Sequence, residues 1–108
     1  MGKTIVSRDG CFEWDEVKDR LNRIKHGLGL AESIRVFEDP YMLEVYDESH
    51  STEEERYIGI GSLQGELIIV VCHTNRRKRV RLYSARKATP KEERIYYEKI
   101  KAFNSETD

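Results

Sequence analysis

Groups that could move a proton and bind a phosphate lie close together in the second half of the chain. His73 comes directly after the apolar run 67–72, and an imidazole with its ordinary pKa of about 6.5 can act as an acid or a base. Arg81 and Arg86 carry planar guanidinium groups that match phosphate oxygens and stay charged. We therefore take these three as candidate catalytic residues. The alternatives are a histidine bonded to backbone groups and two arginines in structural salt bridges.

The charge of the chain is separated along the sequence, although its formal net charge is only −1. Residues 32–56 contain nine acidic and two basic residues, whereas residues 67–91 contain eight basic residues and no acidic one. Such an asymmetry indicates an anionic partner, most often a phosphate backbone. Further candidates for contact with this partner are Arg76, Arg77, Arg79 and Lys87. The alternative is a set of solvated charges, and we expect His50, in the acidic segment, to be a solvated surface residue.

Length and composition exclude several classes of protein. The 108 residues suit a single domain spanning 1–108. No run of 18 apolar residues could form a transmembrane helix, and the first ten residues lack the apolar core of a secretory signal. The two cysteines are too few for a disulfide framework, and the three histidines lack metal-ligand spacing. We therefore expect a reduced cytoplasmic protein without metal or other cofactor and without a membrane partner.

The elements that position these residues can be predicted from hydrophobic periodicity and capping residues. A short strand over 11–14 precedes a helix that begins after the N-cap Asp15 and ends at Gly27. The apolar face of this helix is predicted from the i, i+4, i+7 spacing of Val17, Leu21 and Ile24. A second helix is predicted over 30–37.

The second half of the chain predicts four strands and a last helix. The strands are 42–46, 57–61, 67–72 and 79–85. A capping box opens the helix at Thr89, Pro90 and Glu92. The positions expected to face inward are Ile95, Tyr96, Ile100 and Phe103. Four consecutive strands indicate an antiparallel sheet, so the fold is predicted to be α+β with the order β-α-α-β-β-β-β-α.

Several strings of residues occur in an order that resembles one protein family. They are Phe12-Glu13-Trp14-Asp15; Lys18, Asn22 and Lys25-His26-Gly27; Val36-Phe37-Glu38-Asp39-Pro40; Glu54-Glu55-Arg56-Tyr57 with Ile60-Gly61; Val70-Val71-Cys72-His73-Thr74; Arg81-Leu82-Tyr83-Ser84-Ala85-Arg86-Lys87-Ala88; and Glu93-Arg94 with Tyr97-Glu98. Together they resemble the BrnT family, the toxin half of the BrnT/BrnA type II toxin–antitoxin systems of bacteria. The sequence departs from the family in the more basic turn 75–78 and in residues 1–10, an N-terminal extension before the family's usual start.

The resemblance implies a RelE-like α+β fold and a ribonuclease toxin that stops translation by cutting RNA. It also implies a BrnA-like antitoxin with a ribbon-helix-helix domain, so operator DNA would be bound only through the antitoxin. The catalytic residues would be His73, Arg81, Arg86 and Ser84. The RNA-binding residues would be Lys25, His26, Arg76, Arg77, Arg79 and Lys87.

Alternatives remain open at this point for individual residues and for the whole protein. Ser84 alternates with Leu82 and Val80, so its side chain is expected to share their buried face. His26 could instead complement the C-terminal end of a helix dipole, and Lys87 could be a solvated charge. The protein could be a non-catalytic RNA- or partner-binding module on the same fold, or a toxin that inhibits translation by binding without cutting.

Overall fold

The computed structural model describes residues 2–107, which form a six-stranded sheet with three α-helices. The elements in chain order are β1 (Thr4–Val6), β2 (Phe12–Asp15), α1 (Glu16–His26), α2 (Leu30–Ser33), a 3₁₀ helix (Ile34–Glu38), β3 (Leu43–Tyr46), a second 3₁₀ helix (Glu48–His50), β4 (Arg56–Leu63), β5 (Leu67–Arg76), β6 (Arg79–Lys87) and α3 (Pro90–Thr107). This architecture confirms the predicted α+β class.

The sheet has the strand order β1-β2-β6-β5-β4-β3. Strands β3 to β6 form the antiparallel meander that the sequence predicts. β2 instead pairs in parallel with β6, so the prediction of a wholly antiparallel sheet is wrong at this pair. Because β2 runs parallel to β6 along the free edge of β6, the chain continues from the end of β2 directly into α1. Helix α1 then packs beside β6. Residues 4–6 add the edge strand β1, antiparallel to β2.

The hydrophobic core lies on one face of the sheet, which we call the back face. Its fully enclosed side chains are Leu30, Val36, Ile69, Val71, Leu82 and Ala85. Gly61 permits the close approach of the first 3₁₀ helix, because a Cβ atom at this position would lie 2.7 Å from Val36 Cγ2. The opposite face, which we call the front face, carries Arg56, Thr74 and Arg81 in neighbouring strands.

A β-bulge in β6 changes which residues reach the front face. The register passes from Cys72 opposite Ser84 to His73 opposite Leu82, so Tyr83 is an extra residue in β6. Tyr83 and Ser84 therefore both lie on the front face, whereas Leu82 is fully buried on the back face. The prediction that Ser84 shares the buried face of Leu82 is wrong, because strict alternation fails at the bulge.

Helix α1 packs differently from the prediction. Its apolar positions Leu21 and Ile24 are 58% and 77% exposed, and only Asn22 is buried. The Asn22 side chain donates to the carbonyl of Ala85 at 2.8 Å and accepts from the Ala85 amide at 3.1 Å. An amide side chain thus continues the hydrogen bonding of β6 beyond the end of β2 and attaches α1 to the sheet edge. The predicted Asp15 N-cap and Gly27 C-terminus are confirmed.

The two other helices also differ in part from the prediction. The helix expected over 30–37 ends as α2 at Ser33, whose hydroxyl donates to the Gly29 carbonyl at 2.7 Å, and continues as a 3₁₀ helix. In α3, Tyr96 is buried and donates to Asp39 at 2.5 Å, but Ile95 and Phe103 are exposed. The predicted inward face of α3 is therefore wrong at these two residues.

Candidate active site

A charged cleft lies on the front face, where β4, β5 and β6 meet the start of α1 and the loop before β4. Its volume is about 360 Å³. The residues that line it are Asp15, Lys18, His50, Thr52, Glu53, Glu54, Arg56, Arg76, Arg81 and Tyr83. The cleft therefore joins acidic residues from the loop to basic residues from the strands, although these residues are far apart in sequence.

Glu54 is the cleft carboxylate that two other cleft side chains bond directly. It accepts hydrogen bonds from the Tyr83 hydroxyl and from Arg76, whose Nε lies 2.9 Å from Glu54 Oε1. The Tyr83 hydrogen bond, followed by those from Arg76, holds the pKa of Glu54 below its ordinary value, so the group is ionised at neutral pH. Burial, followed by the bond to Glu54, raises the pKa of Tyr83, so this phenol is neutral.

Two cations of the cleft contact an aromatic ring. The Lys18 ammonium lies 4.8 Å from the centre of the Tyr83 ring, and the Arg56 guanidinium lies 4.2 Å from it. Both distances are typical of cation–π contacts. Among the described residues, neither cationic group forms an ion pair within 4.0 Å, although the charge of Arg56 is one of the causes that lower the pKa of Glu54.

Arg81 reaches the cleft from β6. It pairs with Glu13, which is 7% exposed, and its Nη1 lies 3.3 Å from the Thr4 hydroxyl. The Arg81 side chain is itself only 13% exposed. A buried carboxylate and strand β1 thus fix the orientation of this guanidinium group.

The cleft combines the groups that chemistry at a phosphate requires. An ionised carboxylate can take a proton from a hydroxyl group, and four cations can neutralise charge that develops on phosphate oxygens. The neutral Tyr83 contacts both kinds of group, because its hydroxyl donates to Glu54 and its ring contacts Lys18 and Arg56. In the part of the chain that the structure describes, no group of three or more His, Cys, Asp or Glu residues could hold a metal ion.

His73 lies away from this cleft, in the back-face packing. It is 3% exposed, stacks on Tyr57 with 5.7 Å between ring centres, and meets the Phe37 ring at 5.1 Å. Burial lowers its pKa, although Glu44 opposes this effect with an oxygen 3.3 Å from Nε2. Neither ring nitrogen has a hydrogen bond of acceptable geometry within the described residues. The imidazole is therefore neutral and enclosed, and backbone groups do not satisfy it.

The structure brings together only some of the other predicted site residues. Arg76 and Arg81 line the cleft. Arg86 does not line it, since it lies farther along β6, opposite Val70, where its guanidinium forms a two-point bond to Glu92 at 2.7 and 2.9 Å. Ser84 shares the front face but not the cleft lining.

The remaining predicted RNA-binding residues lie outside the cleft. Arg79 donates to the Gly10 carbonyl at 3.0 Å, and Arg77 belongs to the turn between β5 and β6 with a φ of 57°. Lys25 and His26 occupy the last turn of α1, and Lys87 ends β6. These side chains therefore do not form a single site with Arg76 and Arg81.

Most cleft residues are not among the predicted site residues, and they include Lys18, His50, Glu54, Arg56 and Tyr83. Of these five, all except His50 occur in the strings that carry the family resemblance, which was the signal available for them. These residues meet in the cleft because of the sheet face on which each strand carries its side chains and because of the bulge in β6.

Comparison with known proteins identifies the class of protein. A family model described as the ribonuclease toxin BrnT of type II toxin–antitoxin systems matches residues 14–92, a range that includes every cleft residue. A 1.1 Å crystal structure of the Brucella abortus ribonuclease toxin BrnT is 26% identical to this chain. The similarity covers 70% of this chain and 92% of that one, with a TM-score of 0.53. No curated protein matches the chain.

The fold and the matched range define a toxin of a type II toxin–antitoxin system. The chain belongs to the BrnT family. No helix of residues 2–107 has the length and hydropathy needed to cross a membrane.

Proposed function

We propose that the charged cleft is the active site of a metal-independent endoribonuclease, which acts in the bacterial cytoplasm and inhibits translation by cutting RNA. The observation that carries this proposal is the ionised Glu54 carboxylate, bonded to Arg76 and Tyr83 in a cleft with further cations. Membership of a ribonuclease toxin family supports the same activity. We also propose that the fold is RelE-like, as the sequence resemblance implies.

The proposed reaction uses the 2′-hydroxyl of the RNA as its nucleophile. Glu54 takes the proton of this hydroxyl, and the oxygen attacks the adjacent phosphorus. The bond from phosphorus to the 5′-oxygen then breaks, which leaves a 2′,3′-cyclic phosphate and a 5′-hydroxyl end. Arg76 and Arg81 stabilise the negative charge that develops on the phosphate oxygens.

The other basic residues would contact RNA away from the scissile phosphate. Lys18 and Arg56 lie on the cleft wall, where each contacts the Tyr83 ring. We assign the exposed cations outside the cleft to neighbouring phosphates, where point charges are sufficient for affinity. They are Lys25, Arg77, Arg79 and Lys87, and we assign the half-buried His26, in the same helix turn as Lys25, to the same surface. His73, Ser84 and Arg86 have no part in the proposed reaction, since they do not line the cleft.

A type II toxin has a protein antitoxin as its partner, and the family therefore implies one for this chain. We propose that this antitoxin is BrnA-like, with a ribbon-helix-helix domain through which the complex binds operator DNA.

Incubation of the purified protein with RNA, followed by mapping of the new ends, tests the proposed activity. We expect cleavage with 2′,3′-cyclic phosphate and 5′-hydroxyl ends, also in the presence of a chelator. Glu54→Gln should cleave about 10²–10⁴-fold more slowly, because the amide cannot accept the proton. Glu48→Gln is the matched control, since it alters an exposed carboxylate of the same loop and should cleave normally.

Two results would contradict this proposal. If the folded wild-type protein binds RNA without cutting it, the protein is a non-catalytic RNA-binding module on the same fold. Full activity in a folded Glu54→Gln variant would remove Glu54 as the base.

A further inference from the structure

The proposed cleavage also needs an acid for the leaving oxygen, and one histidine lies in the cleft. His50 ends the second 3₁₀ helix, in the loop before β4, and lines the cleft together with Glu54 and Lys18. Its side chain is 66% exposed, so the ring is accessible to a bound molecule. The two other histidines do not line the cleft.

Two neighbours orient the His50 ring. Its Nδ1 lies 2.8 Å from Asp47 Oδ2 and 3.0 Å from the Ser49 hydroxyl, which itself donates to Asp47 Oδ1 at 2.8 Å. The Ser49 hydrogen bond, followed by that from His50, lowers the pKa of Asp47, so the carboxylate is charged at neutral pH. The contact of Nδ1 with this carboxylate fixes the orientation of the ring and leaves Nε2 as the nitrogen available to a bound molecule.

Charged groups of both signs face His50 from the elements around the cleft. The acidic groups are Asp15 at the start of α1 and Glu53 and Glu54 in the loop. The basic groups are Lys18 of α1, Arg56 of β4, Arg76 of β5 and Arg81 of β6. The neutral Tyr83 completes this set.

We propose that His50, oriented by Asp47, is the general acid that protonates the 5′-oxygen of the leaving group. This proposal rests on the endoribonuclease activity proposed above. As the 2′-oxygen bonds to phosphorus and the bond to the 5′-oxygen breaks, the imidazolium Nε2 transfers its proton to that oxygen. Glu54 then holds the proton of the 2′-hydroxyl and His50 is neutral. Proton exchange with water restores both groups.

An oligoribonucleotide with sulfur in place of the bridging 5′-oxygen at the cleavage site tests this role. A thiol has a pKa of about 8.5, so sulfur leaves as a thiolate without protonation. We expect His50→Ala to cleave the normal oligonucleotide about 10²–10⁴-fold more slowly than the wild type. It should cleave the sulfur-containing one within about tenfold of the wild-type rate.

Glu54→Gln provides the contrast, because a missing base should slow cleavage of both oligonucleotides. Glu48→Gln, from the same 3₁₀ helix as His50, should cleave both normally. Equal losses on both oligonucleotides in His50→Ala would overturn the general-acid role and assign the residue to loop structure. A wild-type protein that cleaves neither would overturn the proposed function itself.

Asp47 acts in this proposal as a positioning residue. Asp47→Asn weakens the acceptor that orients the His50 ring, so it should slow cleavage of the normal oligonucleotide and leave cleavage of the sulfur-containing one within about tenfold of the wild-type rate. Equal losses on both oligonucleotides in folded Asp47→Asn would contradict this coupling.

Discussion

Two donors hold Glu54 in its charged form, and this has a consequence for its reactivity. A carboxylate with a low pKa is ionised at neutral pH but accepts a proton weakly. Arg76 is one of these donors, and it is also a cation that a phosphate group can bind. A phosphate that bonds to Arg76 would weaken its bond to Glu54 and make the carboxylate more basic. In the proposed reaction we therefore expect binding of the substrate to activate the base at this pair.

Tyr83→Phe should change the pH dependence of cleavage. The substitution removes the hydroxyl that contributes most to the low pKa of Glu54 and keeps the ring that Lys18 and Arg56 contact. The pKa of Glu54 should rise, and since the base must be ionised, the acid limb of kcat/KM against pH should move to higher pH. Tyr57→Phe, which removes a tyrosine–glutamate bond outside the charged cleft, is the control.

An acid limb that stays in place in folded Tyr83→Phe would show that Glu54 does not limit the rate at low pH.

The chemical types of the site residues could be predicted from the sequence better than their positions. Arg76 and Arg81 were assigned to phosphate binding, and both line the cleft. The sequence favours His73 over His50 because His73 follows a central strand beside the basic turn. In the structure His73 continues the alternation of Ile69 and Val71, so its side chain lies on the back face. The cleft forms on the front face instead, where the bulge in β6 and the loop before β4 meet, and no local sequence pattern shows this.

At the scale of elements, one ion pair attaches the start of α3 to the sheet. Glu92 receives two bonds from Arg86 of β6 and one from the amide of Thr89. These bonds, with Arg86 the largest contributor, lower the pKa of Glu92 from 4.5 to about 2. The capping box could be predicted because its residues, Thr89 and Glu92, lie only three positions apart in the sequence. The pairing of Glu92 with Arg86 could not be predicted, because that contact depends on how α3 turns back over the sheet.

Glu92→Gln should reduce stability in a pH-dependent way. The folded pKa is lowered, so the ionised group stabilises the protein above pH 4.5 and loses this effect as the pH falls toward about 2. We expect a loss of about 1–3 kcal/mol in the free energy of unfolding at pH 7. The difference from the wild type should shrink at about pH 3, as measured by urea denaturation.

Glu93→Gln is the matched control for this measurement, since Glu93 is an exposed neighbour on the same helix. An equal loss for Glu92→Gln at both pH values would mean that the charge of Glu92 is not its source.

At the scale of the whole molecule, the fold brings the acidic and basic halves of the chain into contact. Glu54 of the acidic segment pairs with Arg76, and Glu13 of β2 pairs with Arg81. The meander and the helix order could be predicted because each depends on local periodicity. The parallel pairing of β2 with β6 and the exposed face of α1 could not, because both depend on contacts between distant segments.

The central claim is that RNA binds and reacts in the charged cleft of the front face. NMR titration of the labelled protein with a short 2′-O-methyl oligoribonucleotide, which lacks the nucleophilic hydroxyl, locates the bound RNA directly. We predict that the largest amide shifts occur at Lys18, from His50 to Arg56, and from Arg81 to Tyr83. Shifts concentrated around His73 and Phe37 on the back face, with the cleft amides unchanged, would contradict the claim.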